Sequence, residues 1–374
     1  MGRPPSRRVE SRGKKHARSL APFGNRPPGV GPLPDDDESL DGYSANDIHQ
    51  GGMADAIIDR HRKRLRGKAR RITIDFVSMD DPTHGDQQLT FFHGHYDTWC
   101  YLPLFGFLTF NDEAEQYLFA AVLRPGNASA KDGTIGILRR AIERLRAAFP
   151  RARIRVRMDG GFAGPRMFEY LESEGVEFAV GVGGNPVLER RARRLVARAG
   201  RASRESGESE REWGECMYAA KTWRKKKRRV VIKAEVVRHE GRAARENPRF
   251  VVTNMTQSAR WVYENFYCAR GEVENRLQEL RHGMEIDRTS CTRFWANQLR
   301  VLLTATAYAL LQEIRLRVAR TEMGRAQVAT IRDRLIKIGV RVVESVRRYV
   351  FLLPRSYSHI TEWRSLAMSF ADTT

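Results

Sequence analysis

The sequence predicts an α/β fold in which helices pack on the faces of a mixed sheet. Segments such as "RITIDFV" (71–77) and "RIRVRMD" (153–159) alternate polar residues with β-branched or apolar ones, as strands do. The amphipathic segment "GTIGILRRAIERLRAAFP" (133–150) predicts a helix that ends at a proline. The predicted order is three strands, then helix, strand, helix and strand. Such alternation indicates a mixed sheet covered by helices.

The first 50 residues are predicted to be disordered. They are rich in proline and basic residues, then turn acidic in "DDDESLDGYSAND" (35–47), and they lack apolar periodicity. A helical pattern returns at 52–69. Beyond the strand at 71–77, two further strands are predicted near 88–95 and 100–109.

The pattern changes after the helix at 165–175 and the strand "VEFAVGV". Residues 189–215 are charged and predict a helix and a mobile loop, and two strands follow before a helix at 261–282. These two strands therefore form an insertion, and the chain beyond 290 predicts helices to about 350. The predicted parts are a disordered basic and acidic segment (1–50), the first part of the core (51–185), an insertion with basic strands (186–258), a helix completing the core (259–290) and a helical C-terminal region (291–374).

Composition restricts the partners of the protein. The chain has 374 residues, of which 41% are hydrophobic, enough for a substantial core. Its 66 Lys and Arg against 45 Asp and Glu give a net charge of +21, which favours a polyanionic partner, either nucleic acid or an anionic membrane surface. The four cysteines are scattered and predict reduced thiols in a cytosolic protein. No apolar run is long enough to cross a bilayer, and no signal-peptide region precedes the core.

The stretch "YCARGEVENRLQELR" (267–281) predicts a helix with a polar edge. At about 100° per residue, Tyr267, Arg270, Glu274 and Arg281 fall within roughly 60° of one another. An apolar stripe lies directly beside them, so the edge is half-buried. The stretch is either a site that faces a ligand or an ordinary helix edge with an Arg270–Glu274 ion pair.

Acidic residues at strand ends are candidates for chemistry. Asp75 lies within the first strand, Asp159 ends "RIRVRMD", and Glu274 lies on the helix. If the strands are adjacent, these three carboxylates can converge. Oxygen cages of this kind bind Mg²⁺, and two such ions can activate a nucleophile in phosphodiester chemistry. Strand-end aspartates are common, so the residues alone only permit this interpretation.

Several motifs carry a family resemblance. The segments concerned are "DDPTHGDQQLTFFHGHYDTWCYLPL", "LRPGNASAKDG", "RMDGGFA", "NPRFVVTNM" and "YCARGEVENRLQELR" followed by "DRTSCTRFWANQLR". Together they resemble bacterial insertion-sequence transposases of the DDE superfamily, in group 1 and in the branch with a Tyr-Arg-Glu-Asn motif. The resemblance covers roughly residues 68–350. It implies an RNase H-like mixed-sheet core with a β-rich insertion before the glutamate helix. It also implies two Mg²⁺ ions, with Mn²⁺ as an alternative, and the cutting and joining of DNA at transposon ends.

The resemblance also assigns residues. Asp159 matches the second aspartate of the triad and Glu274 matches the glutamate, both as catalytic metal ligands. The family often has a lysine seven residues past the glutamate, and Arg281 stands there with its charge kept. The DNA-binding residues implied by the motif are Tyr267, Arg270, Asn275 and Arg281.

The first aspartate departs from the family pattern. That pattern is commonly Asp-x-Asp-x-Thr, and this chain has Asp75, Val77 and Met79 at the three positions. Residues two apart on a strand share a face but lie about 6–7 Å from each other. If the ligand is the second aspartate, Val77 has replaced it, and Asp75 could not substitute without a shift of the strand. If the ligand is the first aspartate, Asp75 is the first catalytic and metal-binding residue. We assign Asp75 on the second basis, and we expect Val77 to impair activity. The N-terminal segment also does not resemble the family.

A cationic cluster lies in the predicted insertion. The sequence "WRKKKRR" is expected to bind the DNA backbone, with the Trp223 ring stacked on an unpaired base. A solvated run of charges between two strands is the alternative. The residues of the cluster assigned to DNA are Trp223, Lys225, Lys226, Lys227 and Arg228.

The sequence thus predicts a DDE transposase with an RNase H-like core. It would bind the inverted repeats of its element and target DNA as a homodimer, in the cytoplasm at the nucleoid and away from membranes. The alternative is a truncated or catalytically decayed transposase-derived DNA-binding protein. A basic RNA-binding protein is a third interpretation, although no familiar RNA-recognition motif is present.

Overall fold

A computed structural model describes residues 44–223 and 226–371. Of the segment 1–50 that is predicted to be disordered, residues 1–43 lie outside these ranges. The remaining residues, 44–50, are helical, because α1 begins at Ser44. The helices are α1 (Ser44–Arg64), α2 (Thr134–Ala148), α3 (Pro165–Ser173), α4 (Pro186–Ser206), α5 (Ala259–Trp261), α6 (Gly271–Gln278), α7 (Phe294–Arg317), α8 (Val328–Ile331) and α9 (Ile360–Ala371). The strands are β1 (Arg71–Ser78), β2 (Asp81–Pro82), β3 (Phe91–His93), β4 (Thr98–Tyr101), β5 (Leu104–Phe110), β6 (Tyr117–Val122), β7 (Arg153–Met158), β8 (Glu177–Val182), β9 (Glu210–Tyr218), β10 (Arg228–Val237), β11 (Arg245–Glu246), β12 (Arg249–Thr253), β13 (Arg341–Ser345) and β14 (Arg348–Leu352).

A mixed sheet forms the centre of the molecule, which confirms the predicted α/β class. Within the described residues it runs in the order β11-β10-β12-β8-β7-β1-β5-β6, and β9 pairs with β10. Strands β1, β7 and β8 are parallel, whereas the other neighbours pair antiparallel. The predicted insertion is therefore continuous with the core, because β12 pairs directly with β8.

Several sequence predictions differ from the structure in detail, and part of the mobile loop predicted within 189–215 forms β9 instead. The strand expected at 100–109 is divided into β4 and β5, since Pro103 between them cannot donate to a ladder. Strand β4 instead joins β2 and β3 in a separate small sheet. The C-terminal region also contains the hairpin β13–β14, whose valine-rich alternation was wrongly assigned to helix.

The two faces of the sheet have separate apolar cores. On β1, Ile72, Ile74 and Phe76 pack with residues of α2, α3 and α4 on one face. Val77 packs with residues of α6, α7 and α8 on the other. Side chains alternate along a strand, so Asp75 shares the second face with Val77.

A buried charge network joins the predicted glutamate helix to the helices that follow it. The carboxylate of Glu279 accepts hydrogen bonds from the Tyr308 hydroxyl at 2.8 Å and from the Arg315 guanidinium at 2.6 Å. It also accepts one from the backbone N–H of Val328 at 3.2 Å and lies 3.0 Å from Arg276. Because these partners are buried, the network fixes the position of the helix against α7 and α8.

Helix α7 covers the outer strand of the sheet. The side chain of Gln312 accepts from the Leu118 N–H and donates to the Gln116 carbonyl. About four turns earlier on the helix, Gln298 accepts from the Leu123 N–H and donates to the Ala121 carbonyl. Both glutamines are buried, and each satisfies two backbone groups at the edge of β6. No helix of the described ranges is long and apolar enough to cross a membrane.

Stability is expected to fall on acidification because of His61. Its ring is 2% exposed and stacks on Phe110 with centroids 4.6 Å apart, and burial together with Arg64 and Arg60 lowers its pKa from 6.5 to about 3. Between these values the unfolded chain binds a proton that the folded chain does not, so stability decreases as pH falls from 6.5 toward 3. The loss is on the order of 4 kcal/mol. Urea unfolding across this pH range measures it.

His61→Phe provides the control, since it keeps a ring against Phe110 but has no titratable nitrogen. The variant is expected to have a flatter pH profile between 6.5 and 3. An identical profile in both proteins would show that other groups dominate acid unfolding.

Candidate functional site

The carboxyl ends of β1, β7 and β8 meet at one edge of the sheet, called here the carboxyl edge. In the β1–β7 pairing, Asp75 stands opposite Arg157. Continuing this parallel register by two residues places Val77 opposite Asp159, on the same face. Neighbouring strands lie about 4.8 Å apart, so positions 77 and 159 are adjacent.

The Asp75 carboxylate forms an ion pair within the sheet. Its two carboxylate oxygens accept from the Arg157 Nε at 2.8 Å and the Arg157 Nη2 at 2.7 Å. The carboxylate is fully buried, and Arg157 also donates to the Phe266 carbonyl at 2.9 Å. Both oxygens of Asp75 thus accept from a guanidinium, so Asp75 could bind a metal only if this ion pair opened, and its assignment as a metal ligand stays a prediction. The arginines that alternate with apolar residues in β7 were the signal in the sequence for this ion pair.

Val77 lies in an apolar environment. It is 5% exposed and belongs to the core that includes Met79, Phe105 and Val273 of α6. The side chain therefore contributes to packing between β1 and the glutamate helix. No donor oxygen is present at this position beside Asp159.

Asp159 is the open carboxylate of the carboxyl edge. Its Oδ1 accepts from the Gly161 N–H at 2.8 Å and so caps the short turn Gly160–Phe162. Its Oδ2 accepts from the Arg270 Nη2 at 2.8 Å, and 37% of the side chain remains exposed. The structure thus brings two of the residues predicted from the motif, Asp159 and Arg270, into direct contact.

Tyr267 packs at the same place. A Cβ built on Gly181 of β8 would lie 2.5 Å from the Tyr267 hydroxyl and 3.1 Å from the Gly160 nitrogen. Only glycine at 181 leaves space for this hydroxyl beside the turn that follows Asp159. Burial raises the pKa of Tyr267, so its hydroxyl is neutral at physiological pH. Tyr267 and Arg270 therefore attach their helix to the ends of β7 and β8.

The helix that carries the motif is not a regular α-helix. Residues Val262–Tyr267 are π-helical, Cys268–Arg270 form a 3₁₀ turn, and a second π segment at Glu279–Gly283 follows α6. Our angular placement assumed a uniform period, and π segments shift the phase of every later side chain. Glu274 lies one turn beyond Arg270, about 6 Å along the axis, and is exposed. That its carboxylate lies within about 8 Å of Asp159 stays a prediction.

Arg281 and Asn275 have local partners. Within the second π segment, the Arg281 guanidinium donates to the Asp287 carboxylate at 2.8 Å and to Asp80 Oδ1 at 3.0 Å. It therefore joins the end of β1 to the loop after the helix. Asn275 is exposed and donates to Glu272 at 3.3 Å.

A buried aspartate adjoins this group. Asp81 is fully buried, and both of its oxygens lie 2.9 Å from the Thr289 hydroxyl. Burial raises its pKa to about 8, with Asp287 and Asp80 acting in the same direction. The sequence places Asp81 after a strand, but its burial depends on the packing of the loop that contains Thr289.

Comparison with known proteins identifies the family. Residues 39–373 match the family described as Transposase DDE domain group 1. The chain belongs to this family of DDE transposases. None of the curated proteins is a significant match. A solved endonuclease V from Ciona intestinalis, in complex with a 23mer DNA, is similar at 12% identity with a TM-score of 0.27, over 68% of this chain and 95% of that chain.

DDE transposases generally use divalent metal ions, and the carboxyl edge of this transposase holds the candidate ligands. Among the described residues, no group of three or more His, Cys, Asp or Glu side chains is placed to hold a metal ion. Asp75 is bound by Arg157, and position 77 carries a valine. Asp159 is partly exposed but hydrogen-bonded to Arg270 and Gly161, and Glu274 is exposed. The residues present therefore do not fit a complete site of the family's kind.

The cationic cluster of the transposase differs from our prediction. The Trp223 ring is 6% exposed and packs against Phe168 and Tyr218, so it cannot stack on a base. Arg228 is also buried, stacks on Trp223 and pairs with Glu172 at 2.7 Å. These two residues stabilise the fold, because β10 enters the sheet at this point.

The lysines of the cluster remain at the surface. Lys226 is exposed and also pairs with Glu172, at 2.7 Å, and Lys227 is exposed. Lys225 lies outside the described residues. Fewer residues of the cationic cluster are therefore available at the surface to contact DNA than the sequence "WRKKKRR" indicates.

Proposed function

We propose that this transposase binds the inverted-repeat ends of an insertion sequence and target DNA, and that its Mg²⁺-dependent strand cleavage is weak. The observation that supports weak cleavage is the buried Val77 beside Asp159, in the register where the resemblance implies a carboxylate. Binding is supported by the net charge of +21, which favours a polyanion. The protein would act on duplex DNA as a homodimer, at the nucleoid in the cytoplasm.

The geometry supports distinct tasks for the remaining motif residues. Arg270 holds Asp159 in one orientation, and its Nε is buried without a hydrogen-bond partner in the described part of the chain. Guanidinium groups bind phosphate well, so Arg270, whose side chain is 14% exposed, would contact a phosphate through its accessible part. Tyr267 would keep Arg270 in place through its contact with β8. Glu274, one turn later on the exposed side, would face the same phosphate.

The test measures binding and cleavage separately. Fluorescence anisotropy compares a duplex carrying the terminal repeats of the element with a scrambled duplex, and a plasmid-nicking assay follows cleavage in Mg²⁺. We expect preferential binding of the repeats and slow nicking. Asp159→Asn and Glu274→Gln should abolish the residual nicking while leaving binding nearly unchanged.

Two outcomes would contradict the proposal. Equal affinity for the repeat and scrambled duplexes would show that the protein does not recognise the ends of the element. Rapid nicking by the natural protein would show that Val77 does not impair the site.

A further inference from the structure

The exposed face of α4 carries an unusual concentration of arginine. The helix packs on the sheet through one side, and the opposite side projects into solvent. At 100° per residue, five exposed arginines lie within roughly 100° of arc, and this arc is centred opposite the buried side. We call these five residues the arginine face: Arg190, Arg193, Arg194, Arg201 and Arg204.

The arginine face has no direct partner among the described residues of the protein. None of its five guanidinium groups has a hydrogen bond or ion pair with another residue of the described ranges. Arg191 and Arg198, which flank the face on the same helix, do have partners: the Met217 carbonyl at 2.8 Å and the Glu212 carboxylate at 3.1 Å. The arginines that point straight outward are thus the ones left without protein acceptors.

This arrangement opposes helix stability unless an anion is bound. Like charges three and four residues apart, such as Arg190 with Arg193 and Arg194, cost roughly 0.2–0.5 kcal/mol per pair. The face extends about 21 Å from Arg190 to Arg204. A DNA strand carries one phosphate per about 3.4 Å of helix axis, so about six phosphates run alongside this length.

The position of α4 connects the arginine face with the candidate site. Helix α4 follows β8 after the short link Gly183–Asn185, and Asn185 caps it through the Val187 and Leu188 N–H groups. It therefore begins at the carboxyl edge, near the turn that follows Asp159. Its apolar side belongs to the core shared with α2 and α3, on the sheet face opposite to the glutamate helix.

We infer that the arginine face of α4 binds the phosphate backbone of duplex DNA and holds the duplex against the carboxyl edge. This inference rests on the proposed function and adds a surface to it. The contact is sequence-independent, because guanidinium groups on phosphates carry no base readout. Repeat recognition would come from other residues.

The experiment uses the full chain and a 30-base-pair duplex, a probe length of about three helical turns. Arg190, Arg193, Arg194 and Arg201 are replaced together by glutamine, which preserves helix propensity. We expect duplex affinity to fall on the order of a hundredfold at low salt. The slope of log K against log salt should become less steep by about 3–4, since each phosphate contact contributes about 0.9.

A control variant removes the same amount of charge elsewhere on the protein. In this variant glutamine replaces four exposed arginines: Arg242, Arg245, Arg347 and Arg348. It should retain most of the salt slope. A second control replaces the four α4 arginines by lysine and should also retain the slope. Circular dichroism and thermal melting verify folding of each variant.

The outcomes separate this inference from the proposed function. If the natural protein does not bind duplex DNA, the proposed function fails. If it binds and the α4 variant has an unchanged slope, or the distant control loses as much, only the arginine-face inference is overturned. Loss of affinity for duplex RNA without loss for DNA would overturn it as well.

Discussion

Val77→Asp is expected to increase Mg²⁺-dependent cleavage of element-end DNA by on the order of a hundredfold or more. Even residues that only support metal ligands change activity by about 10–100-fold, and this change would supply a missing ligand. The register places residue 77 directly beside Asp159, so the new carboxylate would share its face of the sheet. Met79→Thr is added where the single change gives a small gain. Initial rates of end cleavage measure the effect.

The substitution should also lower the thermal stability of the protein, which provides an independent measurement. Position 77 is buried, so without metal an aspartate there should lower the melting temperature of the protein, because a buried carboxylate is unfavourable. Mg²⁺ should restore part of the lost stability in the variant and have little effect on the natural chain. Asp159→Asn in the Val77→Asp background should remove both the gain in cleavage and the restoration by Mg²⁺.

A different alignment of the motif would give the opposite result. Efficient cleavage by the natural protein, abolished by Asp75→Ala and not improved by Val77→Asp, would identify Asp75 as the first ligand. The ion pair of Asp75 with Arg157 would then have to open during the reaction.

Asp75→Ala is expected to lower the free energy of unfolding by about 3–5 kcal/mol. It leaves the Arg157 guanidinium buried beside an apolar surface with only the Phe266 carbonyl as a partner. Removing one member of a buried pair is costly because the remaining charge stays desolvated. Equilibrium unfolding in urea measures the difference.

The double replacement Asp75→Leu with Arg157→Met serves as the control. Both charges are removed together, so most of the lost stability should return. The exposed pair Arg144–Asp55 gives a second comparison, because truncating it should cost about 1 kcal/mol or less. A stable Asp75→Ala protein that had lost only cleavage would show that Asp75 acts in function and not in folding.

The sequence predicted the mixed sheet because its strands and helices have clear and different periods. It also led to Asp159 and Arg270, which the structure joins by a hydrogen bond. The contact itself is tertiary, but each residue stands in a feature of its own segment, a strand end for Asp159 and a short motif on a helix for Arg270. Such features are visible in sequence without knowledge of the neighbours.

The roles of Asp75 and Trp223 could not be predicted in this way. Each depends on which residue faces it from another element: Arg157 on β7 for one, and Phe168 with Arg228 for the other. Composition marks both segments as polar or cationic, whereas the pairing of strands decides what is buried. The π segments of the motif helix likewise have no simple signal, and they determine where Arg281 points.

The two glutamines of α7 have a consequence for how copies of this protein can associate. An outer strand with free N–H and C=O groups is a template onto which a strand of another molecule can add, and long exposed edges of this kind promote aggregation. Gln298 and Gln312 occupy those groups on β6 with their own amides. A strand from another copy of the chain would find these groups already engaged, so extension of the sheet through β6 is disfavoured.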